Sequence, residues 1–537
     1  TLVDLLESAA AKFGDRPAVS MQADEGTMVR WSYRELERRS RLAAWRIRAM
    51  GLAPGDRLLT WSPSAPELVA VYFGAMRAGV VLVPLDLRMA HDAARRIAER
   101  SGAGHLVLGT GRDAPDPTGS GLDTLPMTTT EALTADPGPD VPGDWEDRVA
   151  TWERPTPDDV YLLVYTSGTT GTPKGVMLAH GNTVAGIDGF HHVIPDIEYR
   201  IVSLLPMSHL FEQAIGLYLT LDLGADILYV RSRNPRVVTE AIRSHRTTGM
   251  VMVPQYLDLF WSGLLREIDR RGHRALFDRV RRLVHRLPLA LRRWIMAFVR
   301  DPVLGRDFVL FVSAGAYLPP AVQQGWEDIG IVVLQGYGST ETGSGTCTTW
   351  DDHPVGTVGR PLPGVEMRIA GDGEVQFRGP TVTRGYFDDP AATGAAFTAD
   401  GFYMTGDLGH LDPDGRLVLH GRKKDMIVLP NGFNVFPEDI ENALRVAGIR
   451  DSVVLETEPG RIEAVMLRTE DDEAADRQRV DAAVKAANAT LAVHARVADW
   501  TFWPDEDFPR TLTLKVKRNE IRARIAPDAP MQVQQAE

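Results

Sequence analysis

The stretch YTSGTTGTPKG, Tyr165 to Gly175, crowds small hydroxyl residues and glycines around Lys174. Ser167, Thr169 and Thr170 offer hydroxyl donors, and Gly168, Gly171 and Gly175 let backbone N–H groups come close to an anion. Those residue types suit a phosphate cradle. The phosphate loop of common nucleoside triphosphatases sets glycine directly before the lysine and Ser or Thr directly after it; here Pro173 precedes Lys174 and Gly175 follows it. A polar surface turn is the competing reading of such a run.

Three later stretches also carry residues that could do chemistry. LQGYGSTETG sets Tyr337, Thr340 and Glu341 in a glycine-rich turn after the apolar run IVVLQ. YMTGDLGHLDPDGRLVLHGRKKD places Asp407 and Arg422 on either side of DPDG, a hairpin signal. FPRTLTLKVKR carries Lys515 near the end. Each has a plainer reading alone: a solvated loop acid, a turn residue, an exposed strand lysine.

The elements that must position these residues alternate in type. Ser32 and Glu35 in WSYRELERRS form a capping box before a helix that Gly51 can close. DRLLTW reads as a strand, PELVAVYFGAMRAG as a helix and VVLVPLD as a second apolar strand, a βαβ unit that predicts an α/β fold with mostly parallel sheets. Residues 112–157, rich in Pro, Gly, Asp and Thr, read as a surface excursion before the strand VYLLVYT. The candidate cradle therefore follows a strand directly, a position that phosphate loops favour.

At 537 residues the chain is too long for one ordinary core, so two or more domains are expected. A net charge of −13 gives no overall attraction for nucleic acid. The single cysteine, Cys347, leaves no partner for an intramolecular disulfide and points to a reducing cytosol, as a semi-buried thiol rather than a nucleophile. No stretch reads as a signal peptide or a membrane span: the longest apolar region is interrupted by Asp222 and Asp226. Because the chain starts at Thr1, a short preceding segment is expected to be missing.

Taken together and in this order, TSGTTGTPKG, GYGSTE, TGD, GRKKD and PRTLTLK resemble the adenylate-forming superfamily of acyl-CoA synthetases, peptide-synthetase adenylation domains and beetle luciferases. The resemblance runs from about residue 1 to about residue 525. It implies ATP-dependent conversion of a carboxylate to acyl-AMP, with Mg2+, and then transfer to a thiol. Both reactants are anions, so metal and lysine must offset their repulsion.

The resemblance also implies residue roles. Thr166, Ser167, Gly168, Thr169, Thr170 and Lys174 hold the β and γ phosphates; Glu341 ligates Mg2+; Lys515 bridges carboxylate and α phosphate, and with Thr170 and Glu341 forms the catalytic set. Tyr337 stacks on adenine beside Gly338 and Thr340, with Ser313 to Ala316, including Gly315, along the other edge; Asp407 and Arg422 bond the ribose. A large domain, 1–421, is followed by a small mobile domain, 422–537, that pivots at Lys424 and in its second pose lines a pantetheine tunnel with Gly432 and Asn434.

The acyl group is less sharply implied. LPMSHLFEQ resembles the pattern of fatty acyl-CoA synthetases, with His209 near an acyl tunnel also lined by Ser313, Gly336 and Gly338; a plain core histidine is the alternative. Tyr317, where proline is frequent, and SGSGTC after Glu341 depart from the family's pattern near that pocket. The acceptor is CoA or, as the runner-up, the phosphopantetheine of an acyl-carrier protein; a non-catalytic nucleotide-binding homologue is a third reading. Finally, residues 261–306 hold twelve arginines against four acids. With Leu283, Leu291, Trp294 and Phe298 interleaved, this stretch is either an amphipathic face for weak contact with anionic lipid, making the protein peripheral to a membrane, or a solvated arginine face over a core stripe, the reading the sequence favours.

Overall fold

The computed structural model describes residues 1–22, 26–139, 141–167, 173–232, 234–430, 433–469, 472–510 and 516–526, with Ser167 described by its backbone. The chain divides into two compact units, one of residues 1–367 with 377–403 and one of residues 368–376 with 404–537.

The first unit contains two large sheets. In the six-stranded one the order is Met127–Thr129, His105–Leu108, Arg57–Trp61, Val81–Leu85, Val160–Ser167, Pro173–Ala179. Five strands run parallel and the last is antiparallel. The expected βαβ unit is present: helix Pro66–Arg77 joins Arg57–Trp61 to Val81–Leu85. That helix packs on helix Tyr33–Ala49 at Gly74, where a Cβ would fall 2.7 Å from the Ala43 Cβ, so only glycine admits the approach. Ser32 caps Tyr33–Ala49 by accepting from the Glu35 N–H. The reciprocal half of the capping box does not form, because the Glu35 carboxylate is taken by Arg38 and Arg39.

The nine-stranded sheet has a parallel centre, Val332–Tyr337, Leu310–Ser313, Gly249–Met252, Arg200–Ser203, Asp226–Tyr229 and Pro17–Gln22, closed by antiparallel strands at both edges. Residues 112–157 are more than a surface excursion. They contribute the edge strand Met127–Thr129, and Val141, Trp145 and Val149 bury against Leu42, because apolar side chains spaced along a polar sequence still find a core.

In the second unit, strands Tyr403–Leu411 and Leu417–Arg422 form the DPDG hairpin within a four-stranded sheet. A three-stranded sheet, Ser452–Glu458, Arg461–Met466 and Asp499–Phe502, follows with helices Pro437–Val446, Glu473–Thr490 and Arg518–Ile525. Ile440, Leu444, Val454, Ala464 and Val480 share its core. Among the described residues no helix is long and apolar enough to cross a membrane.

Candidate active site

In the first unit the functional side chains gather at the carboxyl ends of parallel strands, where open α/β sheets bind ligands. Asp86 follows Val81–Leu85, Ser203 and Ser313 end their strands, and Glu341 follows Val332–Tyr337.

Lys174 pairs with Thr166 across the antiparallel strands Val160–Ser167 and Pro173–Ala179. The candidate cradle is thus bracketed by two strands, not by a strand and a helix, so no helix dipole follows it directly. Its tip, Gly168, Thr169 and Thr170 included, lies outside the described residues. The Lys174 ammonium stands 5.1 Å over the ring of Tyr386, a cation–π arrangement. The Tyr386 hydroxyl in turn donates to Glu341 Oε1 at 3.1 Å. Burial and the Glu341 carboxylate push the Tyr386 phenol up to about 12, so at neutral pH it is a donor. The Glu341 backbone is fixed too: its carbonyl accepts from Thr383 N–H at 2.7 Å, and residues 383–387 dock along the cradle's second strand through Met177 and Gly175. One segment therefore ties Lys174 to Glu341. The second Glu341 oxygen accepts no hydrogen bond among the described residues, and a carboxylate oxygen open in this way suits Mg2+.

The glycine-rich turn is closed on itself. Tyr337 ends its strand and pairs with Thr346, and Gly336 pairs with Cys347. At Gly338 a Cβ would meet the Gly343 carbonyl at 2.0 Å, so the turn requires glycine there. Ser339 and Thr342 bond each other's backbone N–H groups, which leaves Thr340 and Glu341 half-exposed at the apex. The Tyr337 ring is half-buried, tilted against Phe377 at 5.8 Å, and is not a core plug. On the neighbouring strand the buried Ser313 hydroxyl has no hydrogen-bond partner among the described residues, an orphan donor that a polar ligand edge would satisfy, and Gly315 turns at φ 86° beside Ala316. Cys347 is buried, not semi-buried, and burial pushes its thiol well up.

His209 is not a core histidine. About a third of its side chain is exposed, and Nε2 lies 3.0 Å from the buried Asp86 carboxylate, at ion-pair distance though off hydrogen-bond angle. Burial alone would raise Asp86; His209 and the Arg88 N–H bring it below the usual carboxylate range. Gln213 anchors the same turn through the Met207 carbonyl, and Ser203 donates to the wholly buried Glu212, whose carboxyl burial pushes up to about 8. Glu212 begins an eight-residue π-helix, Glu212–Leu219, and its carboxyl lies over Gly216, where a Cβ would fall 2.6 Å away.

In the second unit Asp407 and Arg422 are cross-strand partners. Arg422 Nη1 also reaches the Thr405 carbonyl at 3.3 Å. Lys423 is held by Asp372, while Lys424, next in the 3₁₀ turn, is exposed. Asn434 pairs with Val428 in a short hairpin; Gly432 at its tip lies outside the described residues, as does Lys515, which is flanked by the bridged pair Arg510 and Val516.

Two residues that sequence reasoning passed over matter most. Asp86 had a signal, an acid closing the apolar run VVLVPLD at a strand's carboxyl end. Tyr386 had none, since RGYFDDP reads locally as a turn.

The first unit thus sets the Glu341 carboxylate after one parallel strand and Lys174 on the antiparallel strand beside another. Residues 6–387 match the family described as AMP-binding enzyme, and the chain belongs to that family. The 3-[(3aS,4S,7aS)-7a-methyl-1,5-dioxo-octahydro-1H-inden-4-yl]propanoyl:CoA ligase of Mycobacterium tuberculosis is 32% identical over 445 residues, 77% of this chain and 78% of its own. The long-chain-fatty-acid–CoA ligase FadD15 of Mycobacterium bovis is 27% identical over 91% of this chain and 90% of its own. Among solved structures, ATP-bound MatB from Rhodopseudomonas palustris has a TM-score of 0.73 at 25% identity over 97% of this chain and 98% of its own. The O-succinylbenzoate coenzyme A synthetase MenE of Bacillus subtilis, in complex with AMP, shares the fold at TM-score 0.75 and 22% identity, over 96% of this chain and 98% of its own.

Proposed function

We propose that this chain is an AMP-forming acid–thiol ligase for a lipophilic, fatty-type carboxylic acid. The acid's carboxylate oxygen attacks the α phosphorus of ATP, the α–β phosphoanhydride bond breaks, and pyrophosphate leaves. A thiolate of CoA then attacks the acyl carbonyl, and AMP leaves with the oxygen it gained. The observation that carries this reading is the Lys174–Tyr386–Glu341 chain, which presents a fixed cation and a fixed carboxylate together. Lys174 and the hydroxyls of the cradle bind the phosphates, and Glu341 would hold Mg2+, which neutralises phosphate charge when bound. The Ser313 hydroxyl, Tyr337 and the Gly338 turn orient the base, Asp407 and Arg422 the ribose. Lys515 meets the carboxylate, His209 borders the acyl group, and the part of the chain after residue 421, pivoting at Lys424, brings Gly432 and Asn434 to the thiol. CoA is favoured over a carrier-protein phosphopantetheine as acceptor because the relatives by sequence are named CoA ligases.

The test supplies ATP, Mg2+ and a panel of carboxylic acids, with CoA or an acyl-carrier protein, and reads pyrophosphate release and products by mass spectrometry. Acyl-CoA from fatty acids is expected. Thioester on the carrier protein alone would reassign the acceptor, and no pyrophosphate from any acid would overturn the reading.

A further inference from the structure

The arginines of residues 261–306 divide by the work they do. Helices Pro254–Arg270, Arg274–Val284, Leu289–Ile295 and Ala297–Leu304 fold over the nine-stranded sheet, with Trp261, Phe277, Val284 and Met296 in its core. On the inner side arginines act as structural ties. Arg281 and His285 reach Asp328 at 3.6 and 2.9 Å, and Arg293 donates to the carbonyls of Arg306, Phe308 and Gly330. The segment's four acids are already engaged: Glu267 by Arg270 and Arg271, Asp269 and Asp278 by Arg274, Asp301 by Arg300.

On the outer side Arg266, Arg279 and Arg286 are exposed and make no ion pair or hydrogen bond among the described residues. Beside them stand large apolar side chains that the core does not take: Trp294 is 77% exposed, Leu283 75%, Phe298 65%, Leu276 59% and Leu291 47%. Leu276, Arg279 and Leu283 recur three to four residues apart on one face of Arg274–Val284, with Arg286 just past its end, and Leu291 and Trp294 stand three apart on Leu289–Ile295, with Phe298 on the next helix. A solvated arginine face over a core stripe would bury these side chains. The core stripe takes Trp261, Phe277, Val284 and Met296, while Leu276, Leu283, Leu291, Trp294 and Phe298 stay exposed outside it.

We propose that this outer face docks on an anionic lipid bilayer, with Arg266, Arg279 and Arg286 at the head groups and Leu283, Leu291, Trp294 and Phe298 at the acyl boundary. Charge complementarity selects the partner: a chain of net −13 concentrates unpaired arginines on this face. The apolar side chains select a bilayer over an acidic protein. Helices that interleave arginine with Trp, Phe and Leu match both layers of a membrane interface, head group and hydrocarbon. The inference goes beyond the ligase reading and stands on the surface itself.

The experiment is co-sedimentation of the whole protein, without ATP or acid, with vesicles containing phosphatidylglycerol and with pure phosphatidylcholine vesicles. Binding to the anionic vesicles, weakened by salt, is expected. Arg279→Gln with Arg286→Gln should weaken it about 25-fold, at about fivefold per arginine. Trp294→Ser with Phe298→Ser should weaken it about tenfold or more without restoring binding to neutral vesicles. Both variants alter exposed side chains, and a melting temperature matching wild type, measured on the same preparations, excludes unfolding as the cause. Equal binding to both vesicles, anionic binding that neither variant changes, or capture by an acidic carrier protein with no vesicle binding would each overturn the proposal.

Discussion

Asp407 and Arg422 face each other across the two strands of one hairpin, and their side chains close to 2.8 Å between Oδ1 and Nε. Carboxylate and guanidinium are the groups that complement ribose hydroxyls, the role proposed for this pair. Removing either partner should therefore weaken nucleotide binding more than folding. Asp407→Asn is expected to raise KM for ATP about tenfold or more, the range for hydrogen bonds to charged groups, with a smaller change in kcat. An unchanged KM in initial-rate measurements would remove Asp407 from the nucleotide.

If Glu341 holds Mg2+, Tyr386 positions it through its hydroxyl. Tyr386→Phe keeps the ring under Lys174 but deletes the donor, at a cost of about 1 kcal/mol. The Mg2+ concentration for half-maximal adenylation should rise about fivefold, while the melting temperature barely moves. Were Mg2+ dependence unaltered, the hydroxyl would be structural only.

Much of this frame is legible in the sequence, for a physical reason. Continuous apolar runs such as VVLVPLD and IVVLQ have one stable destination, a strand covered on both faces, and glycines fix where turns fall. What is not legible is assembly over distance. Glu341 and Tyr386 are 45 residues apart, and their bond depends on residues 383–387 docking beside the cradle strand, which no local pattern encodes. Glu35 shows the same limit closer by: its capping signal is sound, but Arg38 and Arg39 one turn away compete for the same carboxylate. The sides taken by the arginines of 261–306 depended likewise on which of them reached Asp328 and the backbone carbonyls.

If Lys515 serves only the step in which two anions meet, Lys515→Ala should abolish acyl-AMP formation yet leave thioester formation from supplied acyl-AMP largely intact. Separate assays of the half-reactions check this, and equal loss of both would count against the role.

Lys424→Pro fixes φ near −65° at the exposed second position of its 3₁₀ turn. If the chain pivots there, one half-reaction should fall far more than the other on a preparation whose melting temperature matches wild type. Half-reaction rates lowered in equal proportion would mean that Lys424 is no pivot.

Glu212 links stability to pH. Its carboxyl is held up at about 8 by burial against an ordinary 4.5, so the folded chain keeps a proton that the unfolded chain loses. This contribution is fully present below about pH 4.5 and is lost as pH rises toward 8, at up to about 1.4 kcal/mol per pH unit. Glu212→Gln, which cannot titrate, should show a shallower fall in melting temperature from pH 5 to pH 8. Parallel curves for the two proteins would refute the assignment.

The burial of Cys347 against Gly336 gives the protein a built-in reporter. It is the chain's one thiol, and it sits on the strand pair that closes the Tyr337 turn. A thiol-reactive dye added to the native protein can label it only when that pair opens, so the labelling rate measures local opening at the turn with no competing signal. Ligands that order the turn should slow the dye, and the same slow chemistry means that mild oxidants reach this cysteine only after the strands have parted.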